Sequence, residues 1–203
     1  SNMGIRCWRP CNFLEEMRTY CTGDGTPRFS PFFIPKMIAD ITAGHISIKY
    51  GFRGPNFATV SACASSANAL IDAYNYIRLG KADVFICGGS EAAVNEPGIG
   101  GFNALHAIST RNDDPKTASR PFDKDRDGFV LGEGGCGLVF EELEHALKRG
   151  AKIYAEVGGA GLSADAHHMT SPHPEGEGAK LAMLSALDDA ELPLESVDHI
   201  NTH

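Results

Sequence analysis

Short apolar runs alternate along this chain with longer stretches in which apolar residues recur every three or four positions. The clearest periodic stretch follows Cys63 and continues to Leu79, where Gly80 ends it. This spacing predicts an amphipathic helix, and a glycine just past the last turn is a common stop signal. The short apolar runs are typical of strands buried on both faces of a sheet. The alternation of strands with helices predicts the α/β class.

The same patterns give the bounds of the predicted elements. Helices are expected over residues 37–48, 63–79, 142–149 and 176–190, with a weaker helical pattern within 95–107. Strands are expected over residues 57–60, 82–87, 137–141, 153–157 and 197–203. Two stretches are predicted to be irregular because of their turn residues or their polarity, 3–35 and 109–126.

The composition is that of a soluble globular protein. Of its 203 residues, 42% are apolar and 22% are charged. The net charge of −8 argues against general affinity for nucleic acid, which needs basic patches. No apolar run is long enough to span a membrane, and no secretory signal is recognisable. We therefore expect a cytoplasmic protein that does not associate with a membrane.

The six cysteines are scattered along the chain. Cys7 and Cys11 form a close pair, but no second pair follows at the spacing of a zinc site. Free thiols in a reducing cytoplasm are therefore favoured over a metal site or a disulfide framework.

Cys63 lies where a predicted strand turns into a predicted helix. Unpaired N–H groups and the dipole at a helix N-terminus favour the thiolate form of a cysteine, which is its nucleophilic form. Small neighbours, Ala62 and Ala64, leave room for a substrate. A buried structural cysteine is an equally good interpretation of this segment alone, because free cysteines are among the most buried residues.

Two further patterns carry weaker signals. Residues 123–128 match the opening of an EF-hand loop, but Gly134 occupies the twelfth position, where a glutamate is needed. A polar loop is therefore favoured over a calcium site. The glycine clusters 98–101 and 132–135 do not fit a phosphate-binding loop and are better explained by tight turns.

Histidines are dense in residues 166–174 and recur at the end of the chain. No constellation of acidic or cysteine ligands completes a metal site in 166–174, so we favour a loop that lines a substrate channel. His203 follows the last predicted strand. Parallel strands bring their C-terminal ends to one edge of a sheet, so His203 and Cys63 could converge, which the spacing alone leaves open.

Six motifs in a fixed order give the chain a family resemblance. They lie at residues 61–66, 88–91, 119–129, 132–134, 165–170 and 201–203, and include Ser-Ala-Cys-Ala-Ser-Ser, Ser-Arg-Pro-Phe-Asp and Asn-Thr-His. Together they resemble the β-ketoacyl-[acyl-carrier-protein] synthases, and among these the fatty-acid elongating synthase II of bacteria. The resemblance covers about Phe29 to His203.

This resemblance implies a thiolase-like fold, layered α/β/α/β/α and incomplete here, and a homodimer. It also implies a decarboxylative Claisen condensation that lengthens an acyl chain by two carbons. Cys63 matches the nucleophile that receives the acyl chain from the phosphopantetheine of acyl-carrier protein, and its N–H would supply half of an oxyanion hole. His203 matches the first of two catalytic histidines, which aid decarboxylation of the malonyl unit. No separate cofactor and no metal are implied.

Other positions match binding residues of the family. Phe102 matches a wall of the acyl pocket, and Phe33 matches a residue that reaches across the dimer. Thr170 and Ser171 lie where the substrate's pantetheine arm would pass, and His168 is a further expected substrate-binding residue.

The expected partner is the acidic acyl-carrier protein. Arg28 is the residue expected to contact it. His106 stands where relatives often carry arginine, which weakens the basic patch for this partner.

The chain departs from this family in length and at its start. The family's chain is about twice as long, and its second histidine and other oxyanion donor have no counterpart here. We expect residues 1–3 to be a tag remnant with the start methionine, 4–28 an irregular segment atypical of the family, and 29–203 the N-terminal half with the start of the C-terminal half. Residues 4–12 look foreign, as a frameshift would make them. We expect residues 1–203 alone to be inactive.

Two other functions stay open. One is a polyketide or aryl-polyene ketosynthase of the same fold. The other is a non-catalytic orphan fragment, although the intact Cys63 argues against a dedicated non-catalytic subunit.

Overall fold

The computed structural model describes residues 10–203, with side chains from Phe13 onward. The prediction for residues 1–3 lies outside the described residues. So does the part of the prediction for residues 4–12 that concerns residues 4–9. The elements in chain order are α1 (Pro10–Thr22), α2 (Phe33–Met37), α3 (Ile41–Tyr50), α4 (Ser65–Arg78), β1 (Val84–Ala92), α5 (Glu96–Ala104), β2 (Glu133–Glu141), α6 (Leu143–Lys148) and α7 (Glu177–Asp189). Short 3-10 turns occupy Ala62–Ala64, Pro115–Thr117 and Leu194–Ser196.

The chain divides into two compact units, one up to Phe140 and one from Glu141 to His203. In the first unit β1 and β2 form a two-stranded sheet. The strands run in opposite directions, because Cys87 lies against Leu138 whereas Ser90, further along β1, lies against Gly135.

Helix α4 packs on β1 and carries the most buried side chain of the first unit. Ala73 is 1% exposed, and the rings of Tyr76 and Phe85 join the two elements with centroids 5.5 Å apart. The N-terminal turn of α4 approaches the strand so closely that a Cβ at Gly89 would lie 1.8 Å from Oγ of Ser66. Only glycine fits there without moving one of the two elements.

The second unit is built around α6 and α7. Glu142 caps α6 by accepting a hydrogen bond from the N–H of His145 at 2.7 Å. The extended segment before residue 164 runs along α7, where the N–H of Ala160 donates to Asp189 and the hydroxyl of Ser163 donates to the carbonyl of Gly178. These side-chain bonds hold the segment that follows the strand predicted over residues 153–157.

Most predicted helices are confirmed. The helix after Cys63 is α4 with its preceding turn, residues 142–149 hold α6, and residues 176–190 hold α7. The helix predicted over 37–48 begins later, at Ile41, and the weak pattern in 95–107 forms α5.

Three strand predictions and the irregular N-terminal segment are wrong. Residues 57–60, 153–157 and 197–203 are not strands in the part of the chain that the structure describes. A strand exists only where a neighbour accepts and donates its backbone hydrogen bonds, and these runs have none there. Residues 10–22 form α1, so the segment 4–28 is not irregular throughout; its first residue, Pro10, suits a first turn because proline lacks the N–H that has no partner there.

The predicted burial of the strands is also wrong. β1 and β2 are present and longer than predicted, but Cys87 is their one buried residue, at 9% exposure. Antiparallel pairing of two strands leaves faces and outer edges open. No helix among residues 10–203 has the length and apolar character needed to cross a membrane.

Candidate active site

Cys63 lies in the 3-10 turn Ala62–Ala64, immediately before the first residue of α4. Its side chain is exposed, so a buried structural role does not fit this cysteine. Cys87 provides the contrast, because burial raises the pKa of that thiol to about 11 and makes it unreactive at neutral pH.

The backbone beside Cys63 has an unusual conformation. Ala62 has φ of +49°, in the left-handed region that residues with a Cβ seldom adopt. The following N–H, that of Cys63, has no hydrogen-bond acceptor among the described residues. The turn therefore presents both an exposed sulfur and a free backbone donor.

Polar side chains that the sequence reasoning missed hold this turn. The hydroxyl of Ser65 accepts from the N–H of Ser61 at 2.8 Å and donates to the carbonyl of Ala62 at 2.7 Å. Asn68 donates to the hydroxyl of Ser61, and Thr59 donates to the carbonyl of Ser65, both at 2.8 Å. The one available signal was the density of Ser, Thr and Asn around the cysteine, since such side chains often bond to nearby backbone.

Phe102 lies on α5 and contacts a second aromatic ring. The ring of Phe129 meets it edge-on, with centroids 5.2 Å apart. Phe129 is fixed by backbone bonds on both sides, from the N–H of Ser109 to its carbonyl and from its own N–H to the carbonyl of Ala107. The start of α5 is capped by Asn95, which accepts from the N–H of Gly98 at 3.0 Å.

Phe33, the other predicted pocket residue, lies in a separate aromatic cluster at the start of α2. Its ring stacks on that of Phe13 in α1, with centroids 5.7 Å apart, and contacts the tilted ring of Phe29, with centroids 4.8 Å apart. The residue is partly buried by these neighbours of its own chain.

The structure brings three predicted binding residues of the second unit together. Nδ1 of His168 accepts hydrogen bonds from the N–H groups of Thr170 and Ser171, both at 3.2 Å. All three residues are exposed. His203 is also exposed, in the extended segment that ends the second unit.

Arg28 is less suited to an acidic partner than its sequence position indicates. Its guanidinium pairs with Asp24 at 3.1 Å, and both side chains are mostly exposed. The hollow beside it is lined by Glu15 and Glu16, with Thr19 and Ser30. These carboxylates oppose the approach of a second acidic surface.

The aspartates of the 123–128 loop bond to the protein itself. Asp123 accepts from the N–H of Asp125 at 2.7 Å, which lowers the pKa of Asp123. Asp127 is held by Ser109 and by the N–H of Thr110, which lower its pKa, and it pairs with Arg111 at 3.5 Å. Within residues 10–203 no three His, Cys, Asp or Glu side chains are grouped to hold a metal ion.

Two family descriptions match the chain over most of its length. The β-ketoacyl synthase N-terminal domain matches residues 4–146, and the β-ketoacyl synthase C-terminal domain matches residues 154–203. The chain belongs to the β-ketoacyl synthase family. The resemblance predicted from the six motifs is thereby confirmed for this β-ketoacyl synthase chain.

Named relatives agree with this assignment. The 3-oxoacyl-[acyl-carrier-protein] synthase 2 of Synechocystis is 50% identical over 190 residues, which are 94% of this chain and 46% of that protein. The mitochondrial 3-oxoacyl-[acyl-carrier-protein] synthase of Arabidopsis thaliana is 48% identical over 194 residues, which are 95% of this chain and 42% of that protein. This β-ketoacyl synthase chain therefore spans less than half the length of these relatives.

A solved structure agrees with the predicted fold. It shows a type II polyketide acyl-carrier protein in complex with its ketosynthase bound to the hexaketide. The match has a TM-score of 0.85 and 33% identity, and covers 93% of this chain and 48% of that one. The predicted α/β, thiolase-like class is confirmed, and the described residues form part of that fold.

Proposed function

We propose that the protein carrying these residues elongates fatty acids by decarboxylative Claisen condensation. An acyl chain on Cys63 would join with malonyl-[acyl-carrier-protein] to give 3-oxoacyl-[acyl-carrier-protein]. The observation that supports this most is an exposed Cys63 at the turn before α4, in a chain 50% identical to a protein named 3-oxoacyl-[acyl-carrier-protein] synthase 2.

In the first step, the thiolate of Cys63 attacks the carbonyl carbon of the acyl thioester on phosphopantetheine. A carbon–sulfur bond to Cys63 forms, and the carrier's sulfur leaves with the bonding electron pair and takes up a proton. Negative charge develops on the carbonyl oxygen, and the free N–H of Cys63 is placed beside the sulfur to stabilise it.

In the second step, the malonyl unit loses carbon dioxide, and the electron pair of the broken carbon–carbon bond forms an enolate. We assign to His203 a hydrogen bond to the thioester oxygen of that enolate. The enolate carbon attacks the acyl carbon on Cys63, and the sulfur leaves as a thiolate. This returns the nucleophile to its starting form and leaves the 3-oxoacyl chain on the carrier.

The remaining predicted residues would bind the substrate. Phe102, backed by Phe129, would form a wall of the acyl pocket, and Phe33 would form a second wall by reaching across the dimer, as its match to the family predicts. His168 holds the backbone of Thr170 and Ser171 in one exposed turn, whose hydroxyls could bond to the pantetheine arm.

The proposed partner is an acyl-carrier protein, with Arg28 as the contact predicted from the sequence and a homodimer as the assembly. The substrate's phosphopantetheine would be the one carried group, with no separate cofactor or metal. We propose the cytoplasm as the location, without a membrane or nucleic-acid partner. The Arabidopsis relative is named mitochondrial, so fractionation of the source cell is the test of this point.

The decisive experiment compares Cys63→Ala with Cys136→Ala in the complete polypeptide. Cys136 is also an exposed free cysteine and serves as the matched control. We expect Cys63→Ala to reduce elongation of acyl-carrier-protein substrates by more than about 1,000-fold, because the turn before α4 would then have no sulfur to carry the acyl chain. The Cys136 variant should keep its activity. Full elongation by Cys63→Ala would reject the proposal.

A polyketide ketosynthase is the second candidate, supported by the similarity to the hexaketide-bound ketosynthase. The identity to that protein is 33%, against 50% for the 3-oxoacyl synthase from Synechocystis, so fatty-acid elongation is favoured. Mass spectrometry of products made from several primers would separate the two. A series of 3-oxo groups retained in one chain would indicate the polyketide reaction.

A further inference from the structure

The conformation of Ala62 needs support from its surroundings. A residue with a Cβ enters the left-handed region at a cost and stays there only when neighbouring groups hold it. Ala62 has φ of +49° and directly precedes the proposed nucleophile. Rotation of this residue back to an ordinary angle would turn the next peptide, which carries the N–H of Cys63.

The hydroxyl of Ser65 spans this strained residue. It accepts a hydrogen bond from the N–H of Ser61, before Ala62, and donates one to the carbonyl of Ala62 itself, at 2.8 and 2.7 Å. The backbone N–H of Ser65 bonds to the same carbonyl. One side chain therefore bonds to the Val60–Ser61 peptide before the strained residue and to the Ala62–Cys63 peptide after it.

A helix cap would be the ordinary role for a serine at this position. The hydroxyl of Ser65 does not have that role, because α4 has no side-chain cap and both bonds of the hydroxyl go to residues before the helix. Asn68, in the first turn of α4, also supports this backbone by donating a hydrogen bond to the hydroxyl of Ser61. Thr59, which precedes the 3-10 turn, donates one to the carbonyl of Ser65.

We propose that Ser65 is a positioning residue that fixes Ala62 in its left-handed conformation and thereby aims the N–H of Cys63 at the oxygen of the acyl intermediate. Asn68 supports it in this role. The inference rests on the proposed function, in which Cys63 accepts the acyl chain. Ser65 acts through backbone geometry and touches neither the substrate nor the sulfur.

The test compares two reactions of the same sulfur in the complete polypeptide. Acyl transfer from an acyl-pantetheine thioester needs a donor for the developing oxyanion, whereas alkylation by iodoacetamide has no oxyanion. Removal of one such donor costs about 100- to 1,000-fold in other enzymes. For Ser65→Ala we expect the rate of Cys63 acylation, measured by mass spectrometry, to fall at least about 30-fold, with an alkylation rate within about threefold of the parent.

Two control variants and one further test variant complete the experiment. Ser65→Thr keeps the hydroxyl and should restore acylation to within about fivefold of the parent, whereas Asn68→Ala should lower it by about three- to tenfold. Ser66→Ala removes the adjacent hydroxyl, which has no bond to the turn, and should leave both rates unchanged.

The outcomes separate the inference from the proposed function. An equal fall of acylation and alkylation in Ser65→Ala would show a merely structural role, and no fall in acylation would also overturn the inference. Acylation that persists in Cys63→Ala would instead reject the proposed function itself.

Discussion

At the residue scale, Cys63 and Ala62 contribute different features to the proposed nucleophilic site. Cys63 supplies an exposed sulfur and a free N–H, whereas Ala62 supplies a backbone angle. The angle has a cost, because the Cβ of a left-handed residue crowds the following carbonyl. The backbone conformation before α4 therefore depends on the residue type at position 62, even though the side chain there is a single methyl group.

Substitutions at Ala62 test this strain. Ala62→Gly removes the Cβ and should raise the free energy of unfolding by up to about 1 kcal/mol. Ala62→Val adds a branched side chain at a positive φ and should lower it by about 1–3 kcal/mol. Urea denaturation of the complete polypeptide measures both. Ala64→Val, at φ of −86°, is the matched control and should cost less than about 1 kcal/mol; equal losses at positions 62 and 64 would contradict the strain.

At the element scale, an ion cluster joins the end of β2 to α6. Glu141 accepts hydrogen bonds from Nε and Nη2 of Arg149 at 2.6 and 2.5 Å, and from the ring of His145 at 2.5 Å. Arg149 first, and His145 in addition, lower the pKa of Glu141 to about 2. The cluster ties Glu141 to α6 and to Arg149, the residue that follows this helix, within the second unit.

This cluster predicts an acid-sensitive contribution to stability. The pKa of Glu141 is lower in the folded chain than its ordinary value of 4.5, so the folded state favours the charged form. Its contribution is fully present above about pH 4.5 and is lost as the pH falls towards 2. Carbon-detected NMR titration should show Glu141 ionised at pH 3.5.

Arg149→Met is the matched change for this titration. It removes the largest cause of the shift and should move the pKa of Glu141 up towards its ordinary value. An unchanged pKa in Arg149→Met would show that the bidentate pair does not form in solution.

At the scale of the whole molecule, the described residues expose many large apolar side chains. They include side chains of both strands, namely Val84, Ile86, Leu138 and Val139. Open strands with apolar faces favour association with further protein.

We therefore expect residues 1–203, expressed alone, to associate and to lack condensing activity. Analytical ultracentrifugation should show oligomers or aggregates, and a dye that binds exposed apolar surface should fluoresce strongly with the chain. The complete polypeptide is the control. A monodisperse monomer of residues 1–203 that condenses malonyl and acyl substrates would contradict both expectations.

The sequence predicted helices better than strands, for a physical reason. The helix after Cys63 satisfies its own backbone within the segment, so its periodicity and Gly80 were sufficient to place it. Residues 153–157 have a strand-like composition, but a strand needs a partner elsewhere in the chain. The run of apolar residues in β1 likewise could not show which faces would be covered.

The candidate site, too, was predictable from the sequence only in part. The position of Cys63 before a helix was predictable from the change of pattern at that residue. The roles of Ser65 and Asn68 were not, because their bonds depend on the angle of Ala62, which no composition or periodicity encodes. The bonds from the N–H groups of Thr170 and Ser171 to His168 likewise depend on a local backbone turn that the sequence pattern did not show.

Gly89 lets the first turn of α4 lie directly against β1. Its missing Cβ allows Ser66, three residues after Cys63, to rest directly on β1. A methyl group at position 89 would push the first turn of α4 away from β1 and would move the sulfur of Cys63 with it. It would have room if Ser66 lost its own side chain. The single variant Gly89→Ala should therefore impair acylation of Cys63, whereas the double variant Gly89→Ala with Ser66→Gly should not. Acylation rates of the two single variants and the double variant measure this, and additive effects would show that the two positions are not in contact.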